Sequence, residues 1–280
     1  MTLSLRRLHL SALSLLLLAL GGCALAAAHH PIGVMGHAHL TQPNTPTYRD
    51  LTNLPEPAGK ILAAVYNFRD MTGQYKSSPS SNISTQMTQG AASMLMHSLK
   101  ESRWFDVVER EGLQDLLTER KVNRATQKNS KKKKRAASLP TLLAANILFE
   151  GGIVAYDTNV QTGGEGAKYL GIGGSDKYQV DQVMVILRVV DVRNGRVLDT
   201  VETTKTILSE RLDGSIFKYV AFKKLLEAEV GYSYNEPGQM AAQEAIQAAI
   251  VHLIARGILD GLWALQNPDD INSPVLADYL

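Results

Sequence analysis

The stretch "DQVMVILRVVDVRNGRVLDTVETTKTIL", residues 181–208, sets the architecture of this chain. Asp181 to Val192 is dense in Val, Ile and Leu and reads as a strong strand. "RNG", residues 193–195, reads as a turn. The run that follows is strand-like but polar and Thr-rich. Val201, Thr203, Lys205 and Ile207 share one of its faces, and Glu202, Thr204 and Thr206 the other.

Further strand signals lie on both sides. "NILFEGGIVAYDTNV" (146–160) precedes a glycine-rich segment, and "LDGS" (212–215) is a second turn followed by "IFKYVAFKKLL". Two hairpins are available, one centred on Gly171 to Asp176 and one on Asp213 to Ser215. Each arm supplies about nine to eleven residues, the length that a tilted strand needs to cross a bilayer. Tyr169, Tyr178, Phe217 and Tyr219 could serve as aromatics at a membrane interface. Alternation is weak, so pattern alone favours a soluble antiparallel sheet. Geometry constrains the alternative: four strands cannot close a barrel, and an open edge in lipid leaves backbone groups unpaired. A pore built from these hairpins therefore requires several copies of the chain.

Upstream, "KILAAVYNFRD" (60–70) is apolar on both faces and reads as a strand covered on both sides. A polar loop follows. Ser84 or Thr85 is placed to cap a helix to about Lys100, with Met87, Ala91, Met94, Leu95 and Leu99 on one face. "WFDVVER" reads as a short strand and Gly112 to Arg124 as a helix with Leu113, Leu116 and Leu117 inward. Leu139 to Ala145 reads as a short helix entered through Pro140. The segment 237–264 reads as a long C-terminal helix with Ala245, Ile246, Ala249, Ile250, Leu253, Ile254 and Ile258 in a wide stripe. This β-α-β-α order followed by strands indicates an α/β core.

The N-terminus carries a different message. Arg6 and Arg7 precede an apolar run, Leu8 to Leu20, which is short for a spanning helix. Leu20-Gly21-Gly22-Cys23 has the order of a bacterial lipobox, and Cys23 is the one cysteine among 280 residues. Residues 1–22 read as a signal peptide and Cys23 as the lipidated mature N-terminus. Ala24, rather than Asp, follows the cysteine, which favours the outer membrane. Residues 23–59 read as a proline-rich tether, and 60–280 as the folded domain. His29, His30, His37 and His39 could bind a metal, but no carboxylate is close and a solvated linker is favoured. The basic run Lys131 to Arg135 is favoured as a solvated loop. A net charge of +2 gives no global pull on nucleic acid. A single cysteine excludes an intramolecular disulfide. The chain contains no HExxH, GxSxG or P-loop. No enzyme, cofactor or metal site is expected.

Several blocks in order carry a resemblance: "TYRDLTNLPEPAGKI" (47–61), "ESRWFDVVEREGLQDLLTERK" (101–121), "AANILFEGGIVAYDTNVQTGGEGAKYLGIG" (144–173), "TTKTILSE" (203–210), "LLEAEVGYSYNEP" (225–237) and "DGLWALQN" (260–267). Together they closely resemble the CsgG family of curli secretion channels. The resemblance runs from about Thr47 to Asn267 and outweighs the pattern-based preference for a soluble sheet. It implies an α/β periplasmic domain plus antiparallel β-hairpins, at about 157–187 and 199–225, that join an oligomeric transmembrane β-barrel. It further implies an outer-membrane lipoprotein, a ring of nine protomers, and energy-independent passage of unfolded curli subunits to the cell surface. Two partners are implied, a periplasmic capping factor and a surface accessory factor. The competing reading is a non-pore periplasmic lipoprotein that binds an envelope enzyme or assembly partner.

The family narrows its channel with a Tyr, Asn and Phe on the loop after the first strand. Here that loop is "GQYKSSPSSNIS", and the three positions fall on Ser78, Asn82 and Ile83. Asn82 is kept, while serine and isoleucine replace the aromatics. The expected constriction is wider and less aromatic.

Overall fold

The computed structural model describes residues 45–75, 85–129, 139–162, 177–213, 216–220, 230–233 and 237–280. Seven strands form one mixed sheet in the order β2-β1-β3-β4-β5-β6-β7. β1 (Ile61–Asp70) pairs in parallel with β2 (Phe105–Val108) and β3 (Ile147–Thr162). From β3 onward the pairing is antiparallel, through β4 (Lys177–Asp191), β5 (Val197–Asp213), β6 (Ile216–Val220) and β7 (Val230–Ser233). Among the described residues five α-helices and a 3-10 turn accompany them: α1 (Pro46–Thr52), α2 (Ala91–Glu101), α3 (Leu113–Asn129), α4 (Pro237–Leu259), the 3-10 turn Pro268–Asn272 and α5 (Pro274–Ala277).

The stretch 181–208 forms β4, a tight turn and most of β5, as its pattern requires. Asp191 organises the turn. Its carbonyl accepts from Gly195 N at 2.8 Å, and its carboxylate accepts from Arg193 N and the Arg193 guanidinium. The Arg193 side chain holds that carboxyl down to about 2. Gly195 takes the left-handed conformation that the turn demands (φ +71°). The two faces of β5 divide as read: Val201, Thr203 and Ile207 are buried, and Glu202 and Thr204 are exposed.

The core lies between one sheet face and α1, α2 and α4. Ala63, Val65, Phe149, Ile153, Val183, Val185, Leu187 and Val189 supply the sheet side. α4 is buried on nearly all sides, more than the single stripe expected, because β4, β5, α1 and α2 all pack against it. Three polar links fasten it to β5. Thr203 Oγ1 donates to Ala245 O at 2.8 Å, Lys205 pairs with Glu244, and Arg256 pairs with Asp199 at 2.8 Å.

Both tryptophans tie loops to this core. Trp104 is fully buried and its indole N–H donates to Pro55 O at 2.9 Å. Trp263 donates to Ile254 O at 2.9 Å and stacks edge-on against Phe105.

Four expectations are corrected. Residues 45–59 are not tether. Thr45 caps α1 by accepting from Tyr48 N, Pro46 starts it, and Leu51 and Leu54 enter the core. Seven residues are too few to display a helical period, which is why the pattern hid this helix. α2 begins at Ala91 rather than at Ser84 or Thr85; Thr85 Oγ1 donates to Met87 O in a turn, so Met87 reaches the core from outside the helix. Leu139 to Ala145 is extended. The Arg110 and Arg120 side chains donate to its carbonyls at Leu143 and Pro140, an alternative to helical bonding. The C-terminal helix ends at Leu259, not 264. Gly261 (φ +67°) closes it, with Leu262 N donating to Gly257 O at 2.8 Å.

Two further readings are modified. The face of β1 away from the helices is only partly covered, with Leu62 and Tyr66 half-buried. α3 runs to Asn129 and leaves Leu117 exposed instead of inward, while Leu113 and Leu116 are half-buried.

Candidate functional site

Cys23, Ser78, Asn82 and Ile83 lie outside the described residues, as do the histidines of the tether, the basic run and the segment Gly171 to Asp176. What is described is the frame that carries the loop and the hairpins.

The loop leaves β1 at Asp70. The Asp70 carboxylate accepts from Thr72 N at 2.9 Å and from Thr72 Oγ1 at 2.7 Å, an Asx turn that bends the chain off the strand. Its other oxygen accepts from Gln89 Nε2 on the return path. The two stems meet again further out. Tyr75 and Thr85 form an antiparallel bridge, and Gln86 N donates to Gln74 O at 2.8 Å. The ends of segment 76–84 are therefore side by side.

Both stems converge on Tyr156 of β3. Gln74 Nε2 donates to Tyr156 O at 2.9 Å, and Gln86 Nε2 donates to the Tyr156 hydroxyl at 3.4 Å. That hydroxyl donates to Asp181 Oδ1 at 2.5 Å, and Gln179 Nε2 donates to both Asp181 oxygens at 2.9 Å. Asp181 is fully buried and Tyr156 is 3% exposed. Burial, then the hydrogen bond to Asp181, pushes the Tyr156 phenol far above its ordinary range. On the other side Gly238, in the first turn of α4, lies against the Tyr156 ring; a Cβ there would come within 3.0 Å of it.

Tyr156 also marks a level in the sheet. Below it, β3, β4 and β5 are covered by helices. Above it Asp157, Thr158 and Asn159 are exposed, yet the ladder continues to Thr162↔Lys177 between β3 and β4 and to Asp213↔Ile216 between β5 and β6. β5 and β6 thus pair up to both sides of residues 214–215, which lie outside the described residues. Sequence reading missed Tyr156, Asp181, Gln74 and Gln86. One signal was present: Asp181 opens an otherwise apolar strand on the buried parity of Val183, Val185 and Leu187. Among the described residues no group of His, Cys, Asp or Glu is arranged to hold a metal ion, and no helix is long and apolar enough to cross a membrane.

The family described as "Curli production assembly/transport component CsgG" matches residues 44–279. Proteins of that description from Salmonella typhimurium, Escherichia coli K12 and Citrobacter koseri are each 47% identical over 238 residues, which is 85% of this chain and 86% of theirs. Among solved structures, a PelC dodecamer from Paraburkholderia phytofirmans aligns over 69% of this chain and 86% of its own, at 14% identity and a TM-score of 0.28, too low to bear on fold or assembly. A match from 44 to 279 covers every described element, and on it the chain belongs to the CsgG family of curli production assembly/transport components.

Proposed function

We propose that this chain is one protomer of an oligomeric outer-membrane channel that passes unfolded curli subunits from the periplasm to the cell surface. The observation that carries the reading is the continuation of β3, β4 and β5 beyond the helix-covered level at Tyr156 and Asp181. The ladders are 15 to 17 residues long, and on β3 the residues just past Tyr156, Asp157 to Asn159, are exposed, as strands that leave a helix-covered core would be. The outer halves, together with residues 163–176 and β6, supply the membrane hairpins. The inner halves belong to the periplasmic core.

Too few strands cross per chain to close a barrel, so the pore is shared, by nine protomers on the resemblance to the family. Cys23 carries the lipid anchor. Segment 76–84, its stems joined at Gln74 and Gln86, forms the constriction, with Ser78, Asn82 and Ile83 facing the lumen. A capping factor at the periplasmic mouth and a second factor at the surface complete the machine. No enzymatic step is assigned, since subunits move by diffusion.

Electron microscopy of detergent-purified protein tests this directly. Rings with a central opening are expected; monomers in every detergent tried would overturn the channel in favour of a non-pore lipoprotein. The same rings in a planar bilayer test the constriction. Their unitary conductance is expected to equal or exceed that of relatives with Tyr and Phe in place of Ser78 and Ile83. A conductance clearly below theirs would remove these residues from the narrowest point.

A further inference from the structure

We propose that Tyr156 is a positioning residue, a polar joint that fixes both stems of segment 76–84 to the root of the first hairpin and so sets the aperture of the channel. The inference rests on the channel reading for its consequence, but its structural half stands on described residues alone.

Three observations carry it. The first is convergence. Gln74 and Gln86 stand on opposite stems, and both reach Tyr156, one through its carbonyl and one through its hydroxyl. A loop held at one end can swing about that end. A loop held at both ends to one residue inherits the position of that residue.

The second is cost. Asp181 is a fully buried carboxyl group, and among the described residues its side-chain hydrogen-bond partners are Tyr156 and Gln179, with no arginine or lysine. Burying a charge without a cation is expensive, and packing alone would be served by an apolar residue on that strand. Such a group fixes direction: its oxygens hold the Tyr156 hydroxyl at one position, with the Gln86 amide on its far side.

The third is place. Tyr156 pairs with Val183, and it is the last buried residue of β3 before the exposed run Asp157 to Asn159. Gly238 closes over its ring at the start of α4, just after the second hairpin ends. Loop stems, first hairpin and the return from the second hairpin thus meet at one side chain.

Tyr156→Phe removes the hydroxyl and keeps the ring. The first arm is amide hydrogen exchange on the purified full chain. The Gln86 N–H, bonded to Gln74 O, is expected to exchange at least tenfold faster in Tyr156→Phe, while the β4 amides of Val185 and Leu187 keep their protection. The second arm is single-channel recording, in which the open-state current noise and the spread between individual channels are expected to rise several-fold, with ring yield unchanged. Should loss of the hydroxyl leave Asp181 so poorly partnered that the variant misfolds, Gln74→Ala with Gln86→Ala decides, since it cuts both tethers and leaves the Tyr156–Asp181–Gln179 bonds in place. Unchanged exchange at Gln86 would overturn the joint. Faster exchange with unaltered noise and conductance would overturn its role in the aperture. A parent protein that conducts no current would instead overturn the channel, and the exchange arm would still report on the joint.

Discussion

Gly151→Ala is expected to cost this domain a large part of its stability. Gly151 sits in mid-β3 opposite Leu187 of β4, with φ +142°, a conformation that side chains rarely adopt. A Cβ there would lie 2.0 Å from Ile186 O and 3.0 Å from Ile186 C. Both are backbone atoms of the neighbouring strand and cannot rotate away. The ladder would have to open where β3 and β4 carry Phe149, Ile153, Val185 and Leu187 into the core. Backbone strain costs about 1–3 kcal/mol, and forced separation of packed strands adds a similar amount. A domain of this size is stable by only about 5–15 kcal/mol. Gly195→Ala is the matched control. Its φ of +71° is also strained, but nothing lies within 4 Å of the new methyl. Thermal unfolding should show a loss of about 1–2 kcal/mol there and a far larger one, about 2–6 kcal/mol, for Gly151→Ala. A Gly151→Ala protein melting like its parent would mean that the β3–β4 register is wrong.

Cys23→Ala is expected to abolish pore formation while leaving the periplasmic domain folded. The described core draws on residues from Leu51 to Leu276. On the proposed lipidation of Cys23, the anchor acts on assembly. Each buried methylene of an acyl chain contributes about 0.8 kcal/mol, so several chains hold the protein at the leaflet essentially without release. Confinement to a surface raises the effective concentration at which protomers meet. Without it, a protomer in the periplasm must bring exposed hairpin segments to the membrane alone, with strand edges unpaired. Cell fractionation and conductance measure the outcome: folded soluble protein, no rings in the outer membrane and no channels. Normal insertion of the variant in cells would show that the hairpins find the membrane unaided.

How far the sequence was legible depended on the range of the forces involved. Periodicity reports burial on one face of a regular element, so β4, β5, α2 and α4 were readable wherever apolar residues repeat. Their ends were less so, because caps depend on a few atoms: Gly261 stops α4 with a left-handed turn that an apolar count overlooks. α1 escaped because its value lies in Leu51 and in the tyrosine that joins it to α2, with Tyr48 donating to Glu101 at 3.0 Å. The outward leucine of α3 shows the opposite error: a helical spacing of apolar residues does not say what, if anything, covers them. The joint at Tyr156 was the least legible. Asp181, Gln86 and Gln74 stand 25, 70 and 82 positions from Tyr156, and no local pattern records contacts at those distances.

The placement of the two tryptophans separates folding from membrane entry optically. Trp104 and Trp263 are the chain's whole complement, and both are bonded into the helix-covered end of the domain, one to Pro55 and one to Ile254. The hairpins carry tyrosine and phenylalanine but no indole. Indole emission therefore reads the helix-covered core. On the channel reading proposed above, the spectrum dates the folding of the domain and leaves membrane entry to other probes.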